Sequence, residues 1–228
     1  MMLSAVMEDY IKAIYHLHKE NEERVRTSEI ADELDVTAPT VTSMLDKLEE
    51  RNLIERKKYK GVSLTAHGKR VALEIIRHHR LLEAYLTEHL DYSWAEVHEE
   101  ADRLEHHISD EFVTSIAAAL DDPETDPHGD PIPNSTLELP DGGPGIALSE
   151  FEEDTIVIVE QVSDRDSEVL EYLADHEITP GTELTVREVA PFGMITVLAG
   201  DNDQPVSLPQ HIAHHVRVAT VEPAQVFY

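Results

Sequence analysis

The spacing of apolar residues changes period once along this chain, and the change limits what it can fold into. Up to about residue 120, apolar positions recur at helical spacing. From Thr155 onward they fall in short β-prone runs: Ile156–Val159, Glu183–Val186, Met194–Leu198, Pro205–Leu208 and Val216–Ala219. Residues 121–149, in between, are rich in Pro, Asp and Gly and read as a linker with little regular structure. Examples are Asp130-Pro131-Ile132-Pro133 and Asp141-Gly142-Gly143-Pro144-Gly145. The chain is expected to be mainly α with small β parts. It should have a helical N-terminal half and a separate β-barrel-like domain carrying one helix over about 166–175.

The chain has 228 residues, 41% of them hydrophobic, so it can build more than one core. It has no cysteine, which excludes disulfides and thiolate metal sites. Any metal must be held by His, Asp, Glu, Gln or water, a donor set that suits manganese, iron(II), cobalt, nickel or zinc. No apolar run reaches the 18 or so residues of a membrane span. The N-terminal Met-Met-Leu-Ser has no basic segment leading into an apolar run, so no secretory signal is read and a cytoplasmic location is expected.

Net charge is −29, with 18 Lys and Arg against 47 Asp and Glu. Residues 1–80 hold 14 of each sign, so residues 81–228 hold the remaining 4 basic against 33 acidic. Within 47–80, ten basic residues (Lys47, Arg51, Arg56, Lys57, Lys58, Lys60, Lys69, Arg70, Arg77, Arg80) face four acidic ones (Glu49, Glu50, Glu55, Glu74). A local basic excess in a strongly acidic chain points to a polyanionic partner for that end. The acidic remainder resembles the surface of proteins from salt-rich cytoplasm, as in a halophilic archaeon.

The basic end has an ordered series of elements. A helix is expected over 4–20, with Ser4 as its cap and Val6, Tyr10, Ile14 and Leu17 facing inward. A short helix follows over 27–34, capped by Thr27 or Ser28. Asp35-Val36-Thr37 makes a turn, and a further helix starts at Ala38, with Pro39 in its first turn. Val41, Met44, Leu45 and Leu48 face inward, leaving Thr40, Thr42, Ser43 and Lys47 outside. Two β-prone runs around a basic turn ending in Gly61 then read as a hairpin. Helix, turn, helix and hairpin make a winged helix-turn-helix. Double-stranded DNA is the expected partner. Thr27, Thr37, Pro39, Thr40, Thr42 and Ser43 are placed for phosphate and base-edge contact, and Lys47, Lys57, Lys58 and Lys60 for phosphate neutralisation. The bland alternative is a three-helix packing unit that binds only protein.

Residues 69–119 are expected to form two long helices, about 69–89 and 95–120, with broad apolar stripes that suggest a homodimer. If 95–111 is one helix, His98, Asp102, Glu105 and His106 share an arc of roughly 100°, with His107 on the opposite side. His79 and Glu83 stand one turn apart on the helix before. These carboxylate-flanked histidines read as candidate metal ligands. His16, His18, His78, His89, His107, His128, His176, His211, His214 and His215 read as solvent-exposed surface residues.

The chain resembles, over nearly its whole length, the diphtheria-toxin-repressor family of metal-dependent transcriptional regulators in its three-domain form. The resemblance rests on Glu8-Asp9-Tyr10, Thr37-Ala38-Pro39-Thr40-Val41-Thr42, His79-Arg80-Leu81-Leu82-Glu83, Val97 through His106, and Asp126-Pro127-His128-Gly129-Asp130-Pro131-Ile132-Pro133. It implies a winged-helix domain (1–68), a helical metal-binding and dimerisation domain (69–121), a linker (122–150) and an SH3-like, iron-transport-protein-A-like barrel (151–228). It also implies two metal positions per subunit, for Mn2+ or Fe2+. One would use Asp9, Asp102, Glu105 and His106. The other would use His79, Glu83 and His98, completed from the barrel by Gln161 and Asp164, with Glu160 as an alternative. Iron-responsive members carry Met and Cys where this chain has Asp9 and Asp102; manganese-responsive members carry Asp and Glu. Manganese-type members usually have Glu where this chain has Lys12, and commonly lack the barrel. Both metals therefore remain open.

The resemblance implies a metal-activated, DNA-binding repressor of metal-homeostasis genes, acting without a membrane or a small organic substrate. A metal-independent winged-helix regulator is the main alternative. A zinc hydrolase is more remote: there is no His-Glu-x-x-His, nucleophile elbow or Gly-rich phosphate loop.

Overall fold

The structure is a computed structural model and describes residues 3–21, 24–58, 60–140, 145–164, 166–200 and 202–221. Asp141 to Pro144 of the expected linker lie outside the described residues. The chain divides into two compact units that interleave in sequence. One comprises Met1–His79, Asp102–Ser115 and Pro133–Leu139; the other comprises Arg80–Ala101, Ile116–Ile132 and Pro140–Tyr228.

The first unit begins with α1 (Ala5–Asn21), whose opening amides bond to Ser4. Met7, Tyr10, Ile11, Ile14 and Leu17 are buried, while Val6 is 52% exposed. Val6 was expected inward; Met7 takes that side of the helix instead. Helices α2 (Thr27–Glu33) and α3 (Ala38–Glu50) follow. Neither Thr27 nor Ser28 caps α2. Arg26 occupies the cap position, and its amide donates to Glu29 Oε2 at 2.5 Å. The turn between α2 and α3 places Asp35 at φ 48°, a conformation aspartate tolerates. Strands β1 (Ile54–Lys57) and β2 (Gly61–Leu64) pair antiparallel as the expected hairpin, and Val25 bridges to Val62 on its outer side. Gly61 has φ +88°, and a Cβ there would meet the Val25 carbonyl oxygen at 2.3 Å, so only glycine fits. Val41, Leu45 and Leu48 of α3 close the core with Ile30, Ile54 and Val62.

Helix α4 (Ala66–Leu90) runs as expected. The expected single helix over 95–111 is two helices, α5 (Val97–Leu104) and α6 (Asp110–Ala119). The His107 amide closes a turn on Leu104 O at 2.9 Å, and Ser109 caps α6 through Phe112 N and Val113 N. A serine that satisfies the free amides of a new helix competes with continuing the old one. Glu105, His106 and His107 therefore sit in a turn.

In the second unit, β3 (Ile146–Ala147), β4 (Ile156–Val162), β5 (Glu183–Val189), β6 (Met194–Ala199), β7 (Val206–Pro209) and β8 (Val216–Thr220) form an antiparallel sheet in the order β3-β8-β4-β5-β6-β7. The five expected strands are all present; β3 is an addition. Helix α7 (Ser167–Asp175) is capped by Asp166, which accepts from Glu168 N and Val169 N. Short α8 (Gln210–His215) touches both edge strands, β7 and β3. Alternation buries Val157 and Val159 and exposes Ile156 and Ile158, giving a core shared with Leu170, Leu173, Leu184, Val186, Ile195 and Val197.

Residues 122–140 contain no helix or strand, yet the stretch is far from loose: Asp126, His128 and Ile132 are buried. Asp126 Oδ1 accepts from His128 N and Asp130 N, both at 2.9 Å, and makes a tight turn. Gly129 completes that turn at φ +87°, where a Cβ would lie 1.9 Å from Glu160 O. Arg80 grips the loop through Pro131 O and Asp130 Oδ1, both at 2.6 Å.

Candidate metal centre and DNA-reading face

In the first unit, α1, the end of α5 and the turn after it converge. Asp9, Glu105 and His106 each bring one ligand atom to within 4.8 Å of the others. His106 Nε2 is 2.9 Å from Asp9 Oδ1 and 3.4 Å from Glu105 Oε1, and its Nδ1 is 2.6 Å from Glu8 Oε2. The Glu105 side chain is fully buried. A second group, His79, Asp102 and Glu105, satisfies the same 4.8 Å limit and shares Glu105 with the first. His79 Nδ1 donates to Glu105 Oε2 at 2.6 Å and lies 3.3 Å from Asp102 Oδ1. The Lys12 ammonium sits among these carboxylates, 2.7 Å from Asp102 Oδ1 and 2.8 and 3.0 Å from the Glu105 oxygens.

The charges here are strongly coupled. Burial pushes the Asp9 carboxyl above its usual range, against the pull of His106 and Lys12. Burial also acts to raise Glu105, but His79 and Lys12 outweigh it and hold the carboxyl below its usual range. For Lys12, burial acts downward and the Glu105 and Asp102 carboxylates more than offset it, so the ammonium is held charged.

The second unit has its own cluster. His98 Nδ1 is 3.1 Å from Glu83 Oε1 and 3.2 Å from Asp164 Oδ2, and the Glu83 side chain is fully buried. Burial acts to raise the Asp164 carboxyl, but His98 beside it holds it well below the usual range. The barrel thus delivers Asp164 to Glu83 and His98. Gln161 lies half-buried on β4, paired with Arg217 beside a register shift. Glu160, the alternative, is turned elsewhere: its Oε2 lies where a Cβ on Gly145 would point. His79 stands one turn before Glu83 on α4, and its Nδ1 bond to Glu105 makes it a member of the first cluster, beyond the role expected for it in the second.

Four features were not legible as parts of these sites. Glu8 lies beside Asp9 but read only as part of a motif. Lys12 stood out only as a departure from the family pattern, although its i+3 spacing from Asp9 puts it on the same helix face. His128, read as a surface histidine, is 0% exposed. Its Nε2 donates to Trp94 O at 2.8 Å and its Nδ1 faces Glu83 Oε1 at 3.8 Å. Burial alone would lower the His128 pKa; the Glu83, Asp126 and Asp164 carboxylates raise it to about 9. The Asp126-Pro127-His128-Gly129 turn was the available signal. His78, also read as a surface residue, is half-buried beside Glu74 and Asp110.

On the basic end, Thr37, Pro39, Thr40, Thr42, Ser43, Lys47, Lys57, Lys58 and Lys60 are exposed, and Thr27 is half-buried. The Thr37 and Thr40 hydroxyls pair at 2.8 Å, and Thr42 Oγ1 donates to Ala38 O. Arg26, Thr27, Lys57 and Lys58 line a groove between α2 and the wing. Arg56 is engaged inside the unit by Asp46 and Glu49, each at 2.6 Å. Arg77 bonds Pro133 O, and Arg80 grips the loop described above. Arg56, Arg77 and Arg80 therefore have partners within the chain.

Residues 2–62 match the family described as iron dependent repressor, N-terminal DNA binding domain, and 65–134 match iron dependent repressor, metal binding and dimerisation domain; 146–220 match the FeoA domain. The iron-dependent repressor IdeR of Mycobacterium tuberculosis is 32% identical over 226 residues, covering 94% of this chain and 96% of the relative. The chain belongs to the diphtheria-toxin-repressor family of metal-dependent transcriptional repressors. The diphtheria toxin repressor of Corynebacterium diphtheriae is 29% identical over 222 residues, covering 92% of this chain and 95% of that one. A solved manganese-dependent transcriptional repressor in complex with manganese has 35% identity and a TM-score of 0.87, covering 94% of this chain and all of the other. The manganese regulator SloR has 32% identity and a TM-score of 0.77, covering 94% and 98%. Members of the family are DNA-binding regulators, not enzymes. The three matched regions have the order expected for the three-domain form, with the FeoA match on the β unit.

Proposed function

We propose that this family member binds manganese(II) or iron(II) through Asp9, Glu105 and His106, and that the ion fastens its helix-turn-helix for operator binding; Asp102, expected in the same set, lies instead with His79 and Glu105 and is bonded by Lys12. The observation that carries this reading is the junction itself. Asp9 lies on α1 of the helix-turn-helix, and Glu105 and His106 lie in the turn after α5. An ion shared by them ties these elements together, and an ion that prefers the tied arrangement is thermodynamically coupled to DNA. Carboxylate-rich donors favour manganese over softer-ligand metals in relative terms. The Mycobacterium tuberculosis relative is named an iron-dependent repressor and one similar solved structure is a manganese complex, so both ions belong in the test. A second ion position would draw on Glu83, His98 and Asp164, with His79 and Gln161.

The DNA-reading residues are those exposed on α3 and the wing. The same reading assigns 1–68 to DNA binding, 69–121 to metal binding and dimerisation, 122–150 to the connection and 151–228 to the barrel. Phe112, 48% exposed on α6, belongs to the proposed homodimer face. The net charge of −29 fits a salt-rich cytoplasm, the compartment in which this regulator would meet DNA. The decisive measurement uses a duplex that the protein itself selects from a random pool in Mn(II). Affinity is expected to be at least tenfold tighter with Mn(II) or Fe(II) than with chelator, a coupling of about 1.4 kcal/mol or more. His106→Ala should lose that difference. Equal affinity with and without metal would sink the regulatory reading.

A further inference from the structure

We propose that the Lys12 ammonium permanently fills the ion position formed by His79, Asp102 and Glu105, so that the first cluster takes one divalent ion where its ligands could hold two. The inference rests on the reading of Asp9, Glu105 and His106 as an ion site, and goes beyond it.

Two ligand triads share Glu105. One is Asp9, Glu105 and His106; the other is His79, Asp102 and Glu105. A shared carboxylate is how neighbouring ions are commonly bridged in paired sites. Lys12 places a cation of the chain's own within the second triad, where it bonds two of the three members, and touches the first only through the shared Glu105. Lys12 Nζ donates to Asp102 Oδ1 at 2.7 Å and to both Glu105 oxygens at 2.8 and 3.0 Å. An ion coordinated by those oxygens would sit about 2.0–2.2 Å from them, against the ammonium itself. A protonated lysine has three donors and no lone pair, so it repels such an ion and cannot ligate it. Its side chain is 19% exposed and Glu105 is fully buried, so water screens the conflict poorly.

The placement has a consequence for the metal-free state. Lys12 is on α1, and Asp102 and Glu105 are at the end of α5 and in the turn beyond, so the ammonium already ties α1 to these two carboxylates. Asp9 and His106 remain for an incoming ion to bring under its control. Lys12 is thus a specificity-determining residue: it sets how many ions the cluster accepts and how negative it is when empty.

The test is Mn(II) stoichiometry of the full-length chain by equilibrium dialysis, with low-temperature electron paramagnetic resonance as a second readout. Two manganese ions bridged by one carboxylate are exchange-coupled, and an isolated ion is not. The wild type should show only uncoupled ions, and His106→Ala should bind one ion fewer than the wild type. Lys12→Glu should bind one more ion per chain and show the coupled signal. If Lys12→Glu does not fold, Lys12→Met carries the test, with the extra ion appearing at higher manganese concentration. A coupled pair in the wild type, or no extra ion in either folded variant, overturns the proposal. Failure of His106→Ala to lose an ion would instead overturn the reading of the site, while the increment on changing Lys12 still judges Lys12.

Discussion

Glu105 is the residue on which the first cluster turns. It is fully buried, and its oxygens accept from Lys12 and His79. Removing one partner from a buried charge pair strands the other. Glu105→Gln is expected to destabilise the metal-free protein by about 3 kcal/mol, the low end for a buried pair, because Lys12 keeps Asp102. Urea denaturation of the chelated protein measures it; an effect below the experimental error would show that the cluster adds nothing to the fold. The same carboxyl is held below its usual range, so its contribution is present above the unfolded value near 4.3 and lost as pH falls through the folded one. Gly129 decides a different point. At φ +87° with a backbone oxygen 1.9 Å from any added Cβ, Gly129→Ala should cost at least about 1–3 kcal/mol, read from the thermal midpoint.

Among the elements, the wing and the 126–132 loop make opposite uses of charge. On the wing, Arg56 is spent on Asp46 and Glu49 of α3, whereas Lys57 is exposed. Lys57→Ala is expected to weaken operator binding across sequences and reduce the slope of log affinity against log salt by about 1. Arg56→Ala should leave that slope nearly unchanged and cost roughly 0.5 kcal/mol of stability, as befits a half-exposed pair. Matching slopes for the two variants would show that the wing's basic residues are not divided in this way. In the loop, His128 is raised from 6.5 to about 9 by the carboxylates around it. A raised value means that the stabilisation is complete below about pH 6.5 and is lost as pH rises through about 9. The metal-free wild type should therefore lose stability over that window relative to His128→Gln, as followed by denaturation midpoints. Parallel curves for the two proteins would contradict the assignment.

For the whole molecule the governing quantity is the net charge of −29, concentrated beyond residue 80. Like charges at this density oppose compaction, and molar salt shortens the screening length to about 3 Å. The thermal midpoint should rise by several degrees between about 0.1 M and 2 M potassium chloride. A midpoint that falls or stays level would remove the salt-adaptation reading. At high salt, counterion release drives phosphate contacts less, so base-edge contacts from Thr40, Thr42 and Ser43 should carry a larger share of discrimination.

The sequence by itself determined the order and type of elements, because local periodicity and turn chemistry are properties of neighbouring residues. The helix-turn-helix, the hairpin with its Gly61, α4 and the five main strands all follow from spacing that can be read along the chain. Helical spacing also singled out His98, Asp102, Glu105 and His106 as candidate ligands, while Asp9 entered only through the family resemblance. What the sequence could not supply were facts that depend on residues far apart meeting. The break between α5 and α6 follows the Ser109 cap, which the helical spacing of 95–111 overrode in the reading along the chain. His128 looked like one surface histidine among many until a glycine turn and Arg80 packed it against Glu83. Lys12 looked like a lost ligand, and only the convergence of α1 with the turn after α5, over ninety residues away, makes it a cation among carboxylates. Spacing shows which side chains share a helix face; only tertiary packing shows which charges must neutralise one another.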